Sequence, residues 1–140
     1  MTVDPKCVLV VEDDEAIRML IADALEFEGY DVVTATNGAD ALAKLVTVRP
    51  DAIVLDLMMA VMDGWAFLSA RREHPEYSRI PVLVVSASHD LTATAPQLGV
   101  RACLAKPFNL DVLLAVVERL IRADGTAPRV GASGAAPFDH

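Results

Sequence analysis

Glu12, Asp13, Asp56, Ser86 and Lys106 are the residues of this sequence whose types and placement could do chemistry together. Each follows a short apolar run. Val8-Leu9-Val10-Val11 leads into Glu12-Asp13, and Ala52-Ile53-Val54-Leu55 leads into Asp56. Val82-Leu83-Val84-Val85 leads into Ser86, and Ala102-Cys103-Leu104-Ala105 leads into Lys106-Pro107. Apolar runs of this length suit strands buried on both faces. If the strands are parallel, their carboxyl ends share one edge of the sheet, where open α/β sheets bind ligands.

The chemistry of such a set is that of a charged, oxygen-rich group. Three carboxylates against one ammonium leave two negative charges uncompensated, which a divalent cation would cancel. Mg²⁺ prefers hard oxygen ligands and often takes one or two carboxylates together with a phosphate. Asp13 and Asp56 suit direct ligation, and Glu12 suits ligation directly or through water. With the cation in place, an aspartate can attack phosphorus and form an acyl phosphate. Asp56 is the best placed nucleophile, because its strand is expected at the centre of the sheet. The loop after it can offer a backbone carbonyl to the metal. Lys106 and Ser86 would each hold a phosphoryl oxygen, since such transfer is mostly positioning and charge neutralisation.

The elements between these residues fit that arrangement. Ile17, Leu20, Ile21, Ala24 and Leu25 repeat at helical spacing after the first strand, and Gly29 ends the helix. Asp31 to Ala35 is a strand. Asn37-Gly38 is a turn or cap ahead of a helix carrying Ala41, Leu42, Leu45 and Val46, which Pro50 closes. Gly64 opens a third helix with Trp65 and Leu68, ending before Pro75. Asp14 and Asp63 suit solvated caps or turns rather than the site, with Asp63 beginning a helix. Asp90 to Leu98 is a poor helix because it holds Pro96, which costs about 3 kcal/mol in a helix interior. Leu110, Leu113, Leu114, Val117, Leu120 and Ile121 form one face of a last helix, with Asn109 as N-cap. Five strands alternating with five helices imply a parallel α/β sheet covered on both faces.

The 140 residues suit one domain, and a 54% hydrophobic content can fill its core. Residues 1–5 read as an extension, 6–122 as the domain and 123–140 as a flexible Gly/Ala/Pro-rich tail with no second domain. The net charge of −8 without a basic cluster along the sequence argues against nucleic acid as a partner. Cys7 and Cys103 lie in or beside apolar runs, behave as small hydrophobes, and lack zinc-site spacing. No apolar run approaches a membrane span and no signal-peptide core precedes the first strand, so a cytoplasmic protein is expected.

The acidic pair Glu12-Asp13, the segment Asp56-Leu57-Met58-Met59-Ala60-Val61-Met62-Asp63-Gly64, Ser86-Ala87 and Lys106-Pro107-Phe108 together resemble the receiver domain of two-component response regulators. The resemblance covers about Lys6 to Arg122. It implies a doubly wound, flavodoxin-like (CheY-like) five-stranded parallel sheet of order 2-1-3-4-5. It also implies Mg²⁺-dependent phosphorylation of Asp56 by a sensor histidine kinase or histidine phosphotransfer protein. Glu12, Asp13, Asp56 and the Met58 backbone carbonyl would serve the metal, Ser86 would be the switch hydroxyl, and Lys106 would contact the phosphoryl group. A cis bond at Lys106–Pro107 is part of the same pattern. The expected output is contact with a downstream protein through the fourth helix, fifth strand and fifth helix, or onward transfer in a phosphorelay.

Three positions depart from the family. Ala60 stands where a proline is usual, the stretch from Ser86 to Lys106 is short, and Cys103 replaces the usual aromatic residue of the switch. The expectation is a single-domain response regulator that catalyses only its own phosphorylation and slow dephosphorylation. A phosphorylation-independent binding module of the same fold is the alternative that Cys103 and the Asp90–Leu98 segment suggest. An aspartate-nucleophile phosphatase is disfavoured, because Asp56-Leu57-Met58 lacks a paired Asp-x-Asp.

Overall fold

The computed structural model describes residues 5–59, 61–86 and 100–123. Strands β1 (Cys7–Val11), β2 (Asp31–Ala35), β3 (Ala52–Asp56), β4 (Val82–Ser86) and β5 (Ala102–Ala105) alternate with helices α1 (Glu15–Phe27), α2 (Gly38–Leu45), α3 (Gly64–Arg72) and α5 (Leu110–Ala123). A one-turn helix, α4 (Pro75–Ser78), lies between α3 and β4. All strand pairs are parallel and the sheet order is β2-β1-β3-β4-β5. This is the doubly wound arrangement that the apolar runs and the alternation of elements call for.

Period-two alternation sends the side chains of each strand into two separate cores. Leu9, Val11, Ile53, Leu55, Val82 and Val84 pack under α2 and α3, against Ala41, Leu45, Phe67 and Leu68. Val8, Val10, Val54, Leu83 and Val85 pack under α1 and α5, against Ile21, Leu25, Leu113 and Val117. Because both faces of the central strands are covered, β3 and β4 are buried at every residue, including the polar Asp56 and Ser86 that end them.

Caps fix where the helices begin. Asp14 accepts from the Ile17 N–H, Asn37 from Asp40, Asp63 from Ala66, and Asn109 from Asp111 and Val112. Gly29, at φ 101°, turns the chain out of α1 toward β2. Two residues expected on inner helix faces lie outside. Leu20 is 53% exposed and Val46 is 69% exposed. Ile21 and Leu25 already fill the α1 contact with the sheet, and Val46 falls at the C-cap of α2, past its last buried turn. The segment Asp90–Leu98 and the tail from residue 124 lie outside the described residues, and α5 runs one residue past the expected domain end. Among the described residues no helix is long and apolar enough to cross a membrane.

Gly64 is required by close approach. A methyl group there would lie 2.6 Å from the Asp56 carbonyl oxygen and 2.7 Å from the Leu57 Cα, both backbone atoms. The start of α3 therefore rests directly on the end of β3, and the Gly64 N–H donates to the Leu57 carbonyl at 3.0 Å. Gly64→Ala is expected to cost about 1–3 kcal/mol through overpacking. A lowered urea midpoint checks this, and an unchanged midpoint would show that α3 can move away at no cost.

Candidate functional site at the carboxyl edge of the sheet

Glu12 follows β1 and stays in the ladder, its N–H donating to the Ala35 carbonyl at 3.0 Å. The Arg18 guanidinium, one turn into α1, donates to the Glu12 carbonyl at 3.0 Å. Glu12 Oε2 accepts from the Asp14 N–H at 3.1 Å, while Asp13 turns outward and is exposed. Backbone and side chain of Glu12 are thus both held. That explains how a carboxylate only 3% exposed keeps one orientation.

Asp56 ends β3. The register pairs Val11 with Leu55 and Asp56 with Val85, so the ends of β1, β3 and β4 lie side by side. One carboxylate oxygen of Asp56, Oδ1, accepts from the Met58 N–H at 3.2 Å. The other, Oδ2, lies 3.2 Å from the Lys106 ammonium, which also reaches Glu12 Oε1 at 3.5 Å. Lys106 is placed by the edge strand pair: Ser86 is in register with Ala105, and the Lys106 N–H donates to the Ser86 carbonyl at 2.8 Å. The next peptide bond, Lys106–Pro107, is cis.

The loop after Asp56 is pinned from two sides. Leu57 is fully buried, and the Gly38 N–H at the start of α2 donates to the Met62 carbonyl at 2.8 Å. Met59 and Met62 pack against the core under α2 and α3, whereas Met58 is largely exposed. Val61 sits at φ 68°, a left-handed conformation that costs a branched residue about 1–2 kcal/mol. Tethers on both sides hold it there.

The charges are crowded. Glu12, Asp13 and Asp56 each bring a carboxylate oxygen within 4.8 Å of the others. Burial foremost, and then the neighbouring Asp56 charge, push Glu12 up to about 7, against the opposing pull of the Asp14 N–H and Lys106. Burial disfavours the Lys106 ammonium too, but Asp56 and Glu12 outweigh it and hold its proton more tightly than usual. A carboxyl that resists ionising beside two other carboxylates marks a place short of positive charge. Three hard oxygen donors at that spacing fit a small divalent cation.

All five residues singled out from the sequence meet at this edge. Met58 joins them through its N–H. Cys103 does not reach the site: it is half-buried on the α2 and α3 side of β5, is not in a disulfide, and burial pushes its thiol up. Pro107 is exposed beside the site. Two residues escaped the sequence reading. Arg18 lies one turn behind the acidic pair, and that spacing was its only signal. Arg71 is 2% exposed and donates to the Ser78 and Ile80 carbonyls at 3.1 and 2.9 Å. Its place one turn after Phe67 and Leu68, on the buried face of α3, was the available clue.

A family model, the response regulator receiver domain, matches residues 8–118. The chain is 36% identical over 136 residues to response regulator MprA of Mycolicibacterium vanbaalenii, covering 96% of this chain and 58% of that protein. It is 40% identical over 121 residues to transcriptional regulatory protein PrrA of Mycobacterium tuberculosis, covering 85% and 51%. The chain thus spans about half the length of the curated relatives it matches. Among solved structures, the receiver domain of Francisella response regulator 1452 superposes with a TM-score of 0.77 at 33% identity, covering 84% of this chain and 97% of that one. The chemotaxis response regulator CheY4 of Vibrio cholerae superposes with a TM-score of 0.72 at 35% identity, covering 83% and 98%.

The raised Glu12 carboxyl makes stability depend on pH. In the unfolded chain Glu12 loses its proton near its ordinary value of 4.5, and in the folded chain near 7. Its contribution to stability is therefore full below about pH 4.5 and is lost as pH rises through about 7. Without metal, the urea midpoint should carry a falling component across that window, and Glu12→Gln should flatten it. The same slope in the variant would remove Glu12 as its source.

Proposed function

Since the chain belongs to the response regulator receiver domain family, we propose that Asp56 accepts a phosphoryl group from the phosphohistidine of a sensor histidine kinase or histidine phosphotransfer protein. The observation that carries this reading is the position of the Lys106 ammonium, 3.2 Å from Asp56 and 3.5 Å from Glu12, at the mouth of a three-carboxylate cluster. An Asp56 carboxylate oxygen attacks phosphorus, the N–P bond of the donor breaks, and the imidazole leaves with the bonding pair. The Met58 N–H holds one Asp56 oxygen and so orients the attacking group. Lys106 and the Ser86 hydroxyl take oxygens of the transferred group. Glu12, Asp13, Asp56 and the Met58 carbonyl would hold Mg²⁺, which supplies the positive charge that the carboxylates and the phosphoryl group need.

In this reading the chain is a switch and not a turnover enzyme, and it works in the cytoplasm beside its kinase. Phosphorylation adds about −1.5 to −2 charge to an edge already crowded with carboxylates. The Lys106 and Ser86 contacts must then rearrange, and the backbone hydrogen bond from the Lys106 N–H to the Ser86 carbonyl passes the change to β4 and β5. In this reading a partner protein docks on the face that includes β5 and α5, where Cys103 of β5 stands in place of a bulkier side chain. Output by protein contact or by onward phosphotransfer both follow from this arrangement.

Treatment with Mg²⁺ and a small acyl-phosphate donor should add a single phosphoryl group, read by intact mass under conditions that trap acyl phosphates. Asp56→Asn should abolish the adduct while keeping the fold. Labelling that persists elsewhere would refute the acceptor, and no labelling of the parent chain would favour a phosphorylation-independent binding module. Asp13→Ala should raise the metal-free melting temperature by relieving repulsion and should weaken Mg²⁺ binding by calorimetry. An unchanged affinity would remove Asp13 from the metal site.

A further inference from the structure

The edge of the sheet opposite Asp56 carries the opposite charge. Arg49, Arg79 and Arg101 each stand just ahead of a strand: β3 begins at Ala52, β4 at Val82 and β5 at Ala102. Those three strands are neighbours in the sheet, so the three arginines enter it side by side at its amino edge. All three are exposed. The Arg101 N–H donates to the Val82 carbonyl, which ties its entry to that of β4.

Two further arginines and an aromatic ring join the row into one patch. The Arg49 guanidinium lies 5.4 Å from the centre of the Tyr77 ring, and the His74 ring lies 4.9 Å from the same ring. Arg71, buried behind them, binds the carbonyls of Ser78 and Ile80 on either side of Arg79. Burial, and then the charges of Arg101 and Arg72, lower its proton affinity to about 10, so it remains charged at neutral pH. Five guanidiniums thus share one pole with two exposed carboxylates, Glu73 and Glu76. The nearby Asp51 carboxylate is engaged with the Cys7 N–H at 2.8 Å.

We infer that this arginine pole is a docking surface for an acidic, Asp/Glu-rich segment of a partner protein. Charge complementarity carries the inference, because the chain as a whole bears −8 and yet gathers five of its twelve basic side chains here. The cations of this patch are all arginine. Guanidinium forks take carboxylates in pairs of parallel hydrogen bonds, which lysine does not do. Arg71 is the anchor, not the reader: bound to two carbonyls, it stiffens the turn that presents Arg79. A short acidic segment can engage this patch alone, whereas a long polyanion would also meet the acidic remainder of the chain. The surface lies at the far edge from Asp56 and is independent of the phosphorylation reading.

The test uses the whole chain and a fluorescently labelled polyglutamate peptide, followed by anisotropy at low and physiological salt. Binding should weaken at least about tenfold in Arg79→Glu/Arg101→Glu, a difference of about 1.4 kcal/mol. Arg119→Glu/Arg122→Glu on α5 changes the net charge equally and should leave binding close to that of the parent chain. Arg49→Glu serves as a second variant, and circular dichroism checks that each folds. Equal losses in both double variants would overturn the inference in favour of net charge alone. So would tighter binding of single-stranded DNA than of the peptide. Self-association in sedimentation that Arg79→Glu/Arg101→Glu abolishes would overturn it in favour of a second copy of this chain.

Discussion

Two buried carboxylates, Glu12 and Asp56, face one ammonium, that of Lys106, and the rest of the molecule is arranged to make that meeting unavoidable. Charges removed from water need partners held in good geometry, or they neutralise. Here the partners come from three strands, and each is fixed by main-chain bonds beside it. The Arg18 and Ala35 contacts hold the Glu12 backbone, the Met58 N–H holds one Asp56 oxygen, and the Ser86 carbonyl holds Lys106. A slip of one residue in any register would turn a site residue into the opposite core. The apolar runs that set those registers are therefore as much part of the site as the charges they end in. The compensation is still incomplete, since Glu12 retains its proton toward neutral pH. An edge left short of positive charge is one that binds a cation and responds to an added anion.

The sequence made the strands and the site legible for a common reason. A strand buried on both faces is an unbroken apolar run, so its end is marked by the first polar residue, and in this topology that residue is at the site. Asp14, Asn37, Asp63 and Asn109 were equally legible, because a short polar side chain ahead of an apolar stripe has one local task. What escaped depends on contacts between distant elements. Leu20 and Val46 carry helical periodicity, yet Ile21 and Leu25 already fill the α1 contact and Val46 falls past the last turn of α2. Arg71 reads as a surface charge until the turn at Ser78 and Ile80 folds back and offers it two carbonyls. The row of Arg49, Arg79 and Arg101 is invisible along the chain, where some twenty to thirty residues separate its members. Only parallel strand order places them together.

The two edges of the sheet thus divide the labour of charge. Parallel strands send every carboxyl end one way and every amino end the other, so residues that lead into strands and residues that follow them never mix. Carboxylates gather where β1 and β3 finish, and guanidiniums gather where β3, β4 and β5 begin. Each edge keeps its own character because the full length of the apolar sheet lies between them.

The alternation of side chains gives the carboxyl edge one more property. By strand parity, Asp56 belongs with Val54, on the side of α1 and α5, and Ser86 belongs with Val84, on the side of α2 and α3. Along the strands the two cores are insulated from each other by the sheet itself. At its end that insulation stops, and side chains from both sides border one small volume. Whatever occupies that volume addresses both halves of the protein at once, as a keystone bears on both limbs of an arch.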